Sequence, residues 1–479
     1  MSRTTVVAAG LLVALGLAAC EDVQEAGTET PVAPSFAETG FVTDKPLQAR
    51  FGPGYTGTMK ALATVDDELP GGEQLAGTLD GIGIWGGQAK LKLAVTHELS
   101  VGPSPLGGTR GSRVSFMTID TKSLSILDHY YPVDGTEQYN RFCSAEWVDA
   151  EDGFPGGYFF AGEEFDDGLQ VAIDQQGRVT EMPHLGKYAH ENQISVPGFP
   201  GHVVVLNFDD DGGSGEGREG SESELYMYVA RNSNQVLRGQ GQLYIFKADD
   251  TDALPNDLAA GESLDGYWLP VPEDVATDYL ALEEFADDEG VFPFIRLEDG
   301  FYDKRPGAAP GAFFYDTGRG SITDPDDGSV IDPWGSIYHI AFNDPSDPAG
   351  GSATLTLLAR SQGPDLGWAS PDNGDMNASG QIMLQEDRAN GPWNREPRIW
   401  RFQLAGSSLD LGAAERVVDI VNPDDINGMS VYGWESSGIV DASEWFGAGA
   451  WIFDVQAHSV AAQSSRGDGG QLIYMKLNN

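Results

Sequence analysis

Along most of this chain apolar positions fall in short runs rich in β-branched and aromatic residues, separated by polar stretches and bounded by Gly, Pro and Asp. Such runs predict strands over 89–98, 114–120, 157–163, 169–174, 202–208, 224–230, 242–247, 312–316, 336–342, 353–358, 381–385, 398–404, 450–455 and 471–477. A period near 3.6 is scarce. The segment 276–289 (ATDYLALEEFADDE) is the best helix candidate.

A weak repeat runs through the strands. Gly241-Gln-Leu-Tyr-Ile-Phe, Gly335-Ser-Ile-Tyr-His-Ile and Gly470-Gln-Leu-Ile-Tyr-Met share one form, with Glu224-Leu-Tyr-Met-Tyr and Arg398-Ile-Trp-Arg-Phe as variants. Their uneven spacing argues against a compact solenoid and suits an all-β propeller of six blades with loop and short helical insertions. A β-sandwich or plain barrel is the alternative that this pattern leaves open. The loop 209–222 (DDDGGSGEGREGSE) fails the EF-hand spacing, because Gly213 and Gly220 stand where oxygen ligands belong, and reads as a solvated linker.

The N-terminus departs from this pattern. Arg3 precedes an apolar run from Val6 to Ala19, too short to span a bilayer, and Leu17-Ala18-Ala19-Cys20 matches a bacterial lipobox. The expected organisation is a lipoprotein signal peptide over 1–20 with lipidation at Cys20, a flexible acidic tether over 21–48, and one propeller domain over 49–479. The location that follows is the bacterial cell envelope, at the periplasmic face or the cell surface, with the membrane touched only through the lipid.

Charge narrows the partners. With 74 Asp+Glu against 28 Lys+Arg, the formal net charge is -46, which excludes nucleic acid and anionic membrane surfaces as natural partners. Most of this acidity reads as a solvated surface. Part of it is clustered at strand ends: Thr96-His97-Glu98, Gly162-Glu163-Glu164, His190-Glu191-Asn192, Asp209-Asp210-Asp211, Glu298-Asp299-Gly300, Gln385-Glu386-Asp387 and Gln456-Ala457-His458. If the strands converge on one mouth, these acids repel one another unless cations hold them. Hard oxygen donors in that number point to Ca2+ or Mg2+, with iron or zinc where His joins in. Glu163, Glu164, Glu191, Asp209, Asp210, Glu298, Asp299, Glu386 and Asp387 are the candidate ligands. His190 is placed in the same set, more as a hydrogen-bond partner of a ligand than as a ligand. His97 and Glu98 are weaker candidates, and His458 is expected to make a structural hydrogen bond.

The order of these clusters resembles the PhoX-type alkaline phosphatase family of secreted bacterial propeller proteins. The residues that carry the resemblance are Arg141-Phe-Cys143-Ser-Ala-Glu, Gly162-Glu163-Glu164, Leu185-Gly-Lys-Tyr-Ala-His190-Glu191-Asn192, Phe208-Asp209-Asp210 with Leu225-Tyr-Met-Tyr, Arg296-Leu-Glu298-Asp299-Gly300, Ser370-Pro-Asp372-Asn373 and Leu384-Gln-Glu386-Asp387. The resemblance implies a metal-dependent phosphomonoesterase with a calcium, or iron–calcium, cluster in the channel. It also implies Cys143 as an iron ligand, Glu164, Glu191, Glu298 and Asp372 as ligands to calcium or iron, and Arg296, beside Glu298 at the catalytic centre, as a clamp on phosphate oxygens. The implied partner is a small phosphorylated substrate and the implied state a monomer. Three features depart from the family pattern: Ser144-Ala-Glu-Trp-Val follows the cysteine in place of a Gly-rich run, Leu297 replaces a proline, and Arg3 stands alone where a twin-arginine signal is usual. The alternatives are a non-catalytic calcium-stabilised propeller that binds an envelope partner, and a phytase-like or esterase-like hydrolase of another ester.

Overall fold

In the computed structural model, which describes residues 40–478 apart from 104–108, 218–219, 389–392, 407, 411–413, 424–432 and 463–466, the chain is an all-β, propeller-like fold. The signal peptide, Cys20 and most of the tether lie outside the described residues. The expected tether ends sooner than residue 48. Phe41 exchanges backbone hydrogen bonds with Ile126, Thr43 N–H donates to Leu62, and Gln48 N–H donates to the Gln471 side chain at 2.9 Å.

Four separate sheets of four or more strands stand beside one nine-stranded sheet. Within these five sheets neighbouring strands are antiparallel, most of them joined by short connections. One edge strand of each smaller sheet, and both edge strands of the nine-stranded one, turn towards a common axis. They are Leu79–Gly87, Phe142–Val148, His190–Val196, Leu297–Tyr302, Pro371–Met376 and Ile439–Asp441, each packed on the next in a ring. The ring is closed between chain ends. Gly57–Thr64 pairs with Asp468–Leu477, with Ala61 opposite Ile473 and Gly57 opposite Leu477. This closure protects the edges that an open sheet would expose.

Apolar side chains fill the wedges between sheets. Between the sheets that begin at Leu79 and at Phe142, Trp85, Phe116, Phe142, Phe159, Val171 and Ile173 form one buried cluster, in which the Trp85 and Trp147 rings stack 3.9 Å apart. The aromatic repeat of the sequence marks mostly third strands counted from the axis: Leu225–Ala230, Ser336–Phe342, Arg398–Ala405 and Asp468–Leu477. The expected helix forms as Tyr279–Glu289, with the Asp278 side chain accepting from Ala281 N–H at its start and Gly290 left-handed at its end.

Candidate metal centre

Two positions in the sheets supply the site. The second residue of an inner strand faces the axis: Asp80, Cys143, Glu191, Glu298 and Asp372. So does the first residue beyond the neighbouring strand: Glu98, Glu164, Asp210 and Asp387.

The inner positions share a cause. The ladder loses register at Asp80-Gly81, Glu191-Asn192, Glu298-Asp299 and Asp372-Asn373, and opposite Cys143-Ser144. A β-bulge leaves such residues unpaired and re-aims their side chains. Two residues upstream, Thr78, Arg141, Arg296 and Ser370 hold φ between 43° and 66°, a left-handed backbone that turns the chain into the strand. At Gly81 a Cβ would lie 2.2 Å from Ala145 N, so only glycine allows the neighbouring inner strands to approach this closely.

These residues surround a cavity of ≈ 280 Å3 lined by nine carboxylates (Asp80, Glu98, Glu164, Glu191, Asp210, Glu298, Asp372, Asp387 and Glu435), the Cys143 thiol, Arg141, Arg296 and His458. Single ligand atoms of Asp80, Glu98 and Cys143 lie within 4.8 Å of one another, as do those of Cys143, Glu164 and Glu191, of Glu191, Asp210 and Glu298, and of Asp372, Asp387 and Glu435. Arg296 forks onto Asp210 at 2.8 and 2.6 Å and reaches Glu298 at 3.1 Å. Arg141 lies 3.0 Å from Glu98 and also bonds Glu164, which accepts from the Cys143 thiol.

Burial, then mutual repulsion, drives the carboxyl groups of Asp80, Glu191, Glu298, Asp372 and Asp387 well above their ordinary range. Burial and the nearby Glu164 do the same to the Cys143 thiol. Glu164 is pushed up to about 8 by burial, against the pull of Arg141. Glu435 is the exception. Burial would raise it, but the charge of His458, 3.2 Å away, outweighs that and holds it at about 2. His458 rises to about 11, because Glu435 and Asp468 overcome its own burial. Two guanidiniums and one imidazolium cannot balance nine carboxylates, so the donor set fits several divalent cations.

The structure brings Cys143, Glu164, Glu191, Asp210, Arg296, Glu298, Asp372 and Asp387 together and turns other sequence candidates away. Glu163 accepts backbone N–H groups of Asn140 at 2.7 Å and Leu169 at 3.3 Å. His190 is locked between Gln170 at 2.9 Å and the Gly186 carbonyl at 3.2 Å. Glu386 is held by both arms of Arg395 and by the Trp400 indole. Asp299 bonds Asn192 and the N–H groups of Gly300 and Gly374, and faces a second cavity of ≈ 360 Å3 shared with Lys304 and Asp375. Asp209 points into a cluster outside the channel. His97 is tied to Ser115 and the Gly77 carbonyl, whereas Glu98 beside it lines the channel. His458, expected to be structural, lines the channel too. Asp80, Arg141 and Glu435 were not among the candidates. The signal for Arg141 is its place two residues before Cys143, as Arg296 stands before Glu298.

A family model of the alkaline phosphatase PhoX matches residues 132–420. The chain belongs to the PhoX family. The matched stretch carries four of the inner strands and leaves outside it Asp80, Glu98, Glu435 and His458, which complete the lining of the channel. Pseudomonas fluorescens PhoX, solved in complex with vanadate, a transition state analogue, shares the fold at a TM-score of 0.62 and 13% identity, over 91% of this chain and 97% of its own. The α-L-arabinofuranosidase Arb93A of Fusarium graminearum, solved with an iminosugar inhibitor, matches at a TM-score of 0.42 and 10% identity, over 86% of this chain and 97% of its own. No curated protein sequence matches the chain.

Proposed function

We propose that this PhoX-family chain hydrolyses phosphomonoesters at the acid-lined end of its channel, with calcium ions, and iron at Cys143, held by the carboxylate ring. The observation that carries the reading is the convergence of nine carboxylates, one thiol and two guanidiniums on one cavity. That wall alone would repel a phosphate dianion, so cations are required before this substrate can enter. The oxygen donors suit calcium, and the Cys143 thiolate adds a softer ligand that suits iron. When bound, the cations neutralise the phosphate and polarise its oxygens.

The chain's own residues do the rest. Glu191 belongs to two of the donor groups and so links them. Arg296 supplies a fork of N–H donors at the edge of the ring. Once Asp210 and Glu298 are neutralised by cations, that fork can turn to two phosphate oxygens. Arg141, between Glu98 and Glu164 and two inner strands away round the ring, is placed to do the same.

The ring of six inner strands supports counting six blades, with the nine-stranded sheet taken as two blades joined through Ser263–Pro270. The lipobox at Cys20 supports an envelope-anchored protein, and the family match supports a small phosphorylated substrate.

The test is turnover of a chromogenic phosphomonoester by the purified chain with calcium, with calcium and iron, and after chelation. Activity that needs calcium and disappears in Glu191→Ala is expected. No turnover under any metal condition would leave a non-catalytic propeller or a hydrolase of another ester, which a panel of diesters, lactones and phytate separates.

A further inference from the structure

Asp209, which the channel does not use, meets two other acids outside it. It ends the strand Val203–Asp209, Glu224 immediately precedes the strand Leu225–Ala230, and Glu283 stands on the helix Tyr279–Glu289. One oxygen from each lies within 4.8 Å of the others. Asp209 is 0% exposed and Glu224 6%.

Their hydrogen bonding is incomplete. Asp209 Oδ1 accepts from Asp211 N–H at 3.1 Å, while its buried Oδ2 has no partner among the described residues. Oε1 of Glu283 is in the same condition. Glu224 takes the Tyr226 hydroxyl, at 3.3 Å, and otherwise meets the Asp209 carboxyl. Beyond burial, the charges that act most strongly on the three are all carboxylates: one another, Asp211, Glu222 and Asp287. A buried carboxylate with no counter-charge and an empty lone pair is costly, and three sharing one spot are more so.

We propose that Asp209, Glu224 and Glu283 hold a calcium ion that clamps the helix Tyr279–Glu289 to the back of the channel wall. The donor set is all oxygen, with no His or Cys in the cluster, which favours calcium over zinc. The Tyr226 hydroxyl and water complete the shell. The helix already buries Leu282 and Ala286 against the same strands, and Glu283 follows Leu282 into that contact. The clamp would fix the backbone at Asp209, and with it the next residue, Asp210, whose carboxylate holds the Arg296 fork. Structural calcium behind the wall thus sets the position of groups inside it, and it does so whatever reaction the channel performs.

The experiment uses the metal-stripped full chain, Glu283→Gln, and Glu224→Gln as a second variant on a different element. Bound calcium is measured by elemental analysis after equilibration, and terbium(III) luminescence is excited through tyrosine. Tyr226 touches Glu224, whereas no Tyr, Trp or Phe among the described residues lines the channel cavity. Each variant is expected to bind about one calcium fewer per chain than the parent, to lose most of the tyrosine-sensitised terbium signal, and to show a smaller rise in melting temperature on adding calcium. The proposal is overturned if both variants keep the parent's calcium content and terbium signal. It is also overturned if their melting temperatures exceed the parent's equally with and without calcium, the result expected of a carboxyl cluster that shares protons and has one acid removed.

Discussion

Asp387 faces eight other carboxylates across the channel, whereas Glu386, one residue earlier, is enclosed by Arg395 at 2.6 and 2.7 Å, the Trp400 indole at 2.9 Å and Ala369 N–H at 3.0 Å. The same division recurs at His97 and Glu98, Glu163 and Glu164, and Asp209 and Asp210. The strand-final residue belongs to the ladder and points into the sheet. The next residue has left the ladder and points to the axis. At His97, Glu163 and Glu386 the blade interior satisfies the side chain locally, so that residue adds rigidity; Asp209, with its second oxygen unpartnered among the described residues, is the exception. The channel wall leaves its acids mutually repelling, so they stay poised to take cations. On the proposed reading, catalytic capacity sits where the fold leaves electrostatics unresolved, and the residue behind stabilises the wall on which the acids stand.

The comparison breaks most visibly in activity. Glu191→Ala should cut phosphatase turnover on the order of 10^3-fold, about 4 kcal/mol of transition-state stabilisation, because Glu191 is common to two donor groups. The metal-free protein should melt no lower than the parent, since one repelling charge is gone. Turnover within a few-fold of the parent would remove Glu191 from the centre.

On the other side of the wall, Glu386→Gln should cost stability instead. It strands Arg395, whose side chain is only 11% exposed, and breaking one side of a buried pair costs about 3–5 kcal/mol. A denaturant midpoint that falls while bound metal per folded chain stays constant is the expected pair of readings. Asp387→Asn should give the reverse: less bound metal, with little loss in the denaturant curve.

A third difference is in pH. Glu164 is raised in the folded state from 4.5 to about 8 by burial. Between those values the folded chain binds more protons than the unfolded one, so stability of the metal-stripped protein should fall as pH rises from about 4.5 through 8. The other raised carboxyls of the ring act with the same sign. Saturating calcium should flatten this slope, because cations replace the protons. Melting temperatures across that pH range, with chelator and with calcium, check it. An unchanged slope would mean that the ring does not bind calcium.

Much of the outer architecture was legible in the chain. Second and third strands such as Lys90–His97, Val203–Asp209 and Ser336–Phe342 carry apolar runs rich in β-branched or aromatic residues and were expected within a few residues. The six inner strands were not. His190-Glu-Asn-Gln and Leu297-Glu-Asp-Gly read as polar clusters at strand ends, and Leu79-Asp-Gly-Ile-Gly and Pro371-Asp-Asn-Gly as no strand, because their Gly, Pro and polar axis-facing residues interrupt the apolar runs on which strand recognition rests. The site suffered from the same cause. Clusters of adjacent acids were visible, but choosing between neighbours needs the strand end to within one residue, which is finer than pattern can give. Asp80 and Glu435 lie outside any acidic cluster, so only the ring geometry gathers them.

The smallest effect concerns His190, beside Glu191 but on the blade side. Burial lowers it to about 3, so it is neutral in the folded protein at any working pH. Between that value and 6.5 the unfolded chain binds a proton that the folded chain does not, and stability should fall as pH drops below about 6.5. His190→Gln removes this titration. At neutral pH it should cost only about 1–2 kcal/mol, for the bonds to Gln170 and the Gly186 carbonyl that a shorter amide cannot both keep. Because Glu191 keeps its own place on the axis, calcium content and chelator sensitivity should stay those of the parent. If they fell together with stability, His190 would be acting on the metal through Glu191. The wall between the two regions would then be permeable at this point, where the bulge at Glu191-Asn192 interrupts the ladder of the inner strand.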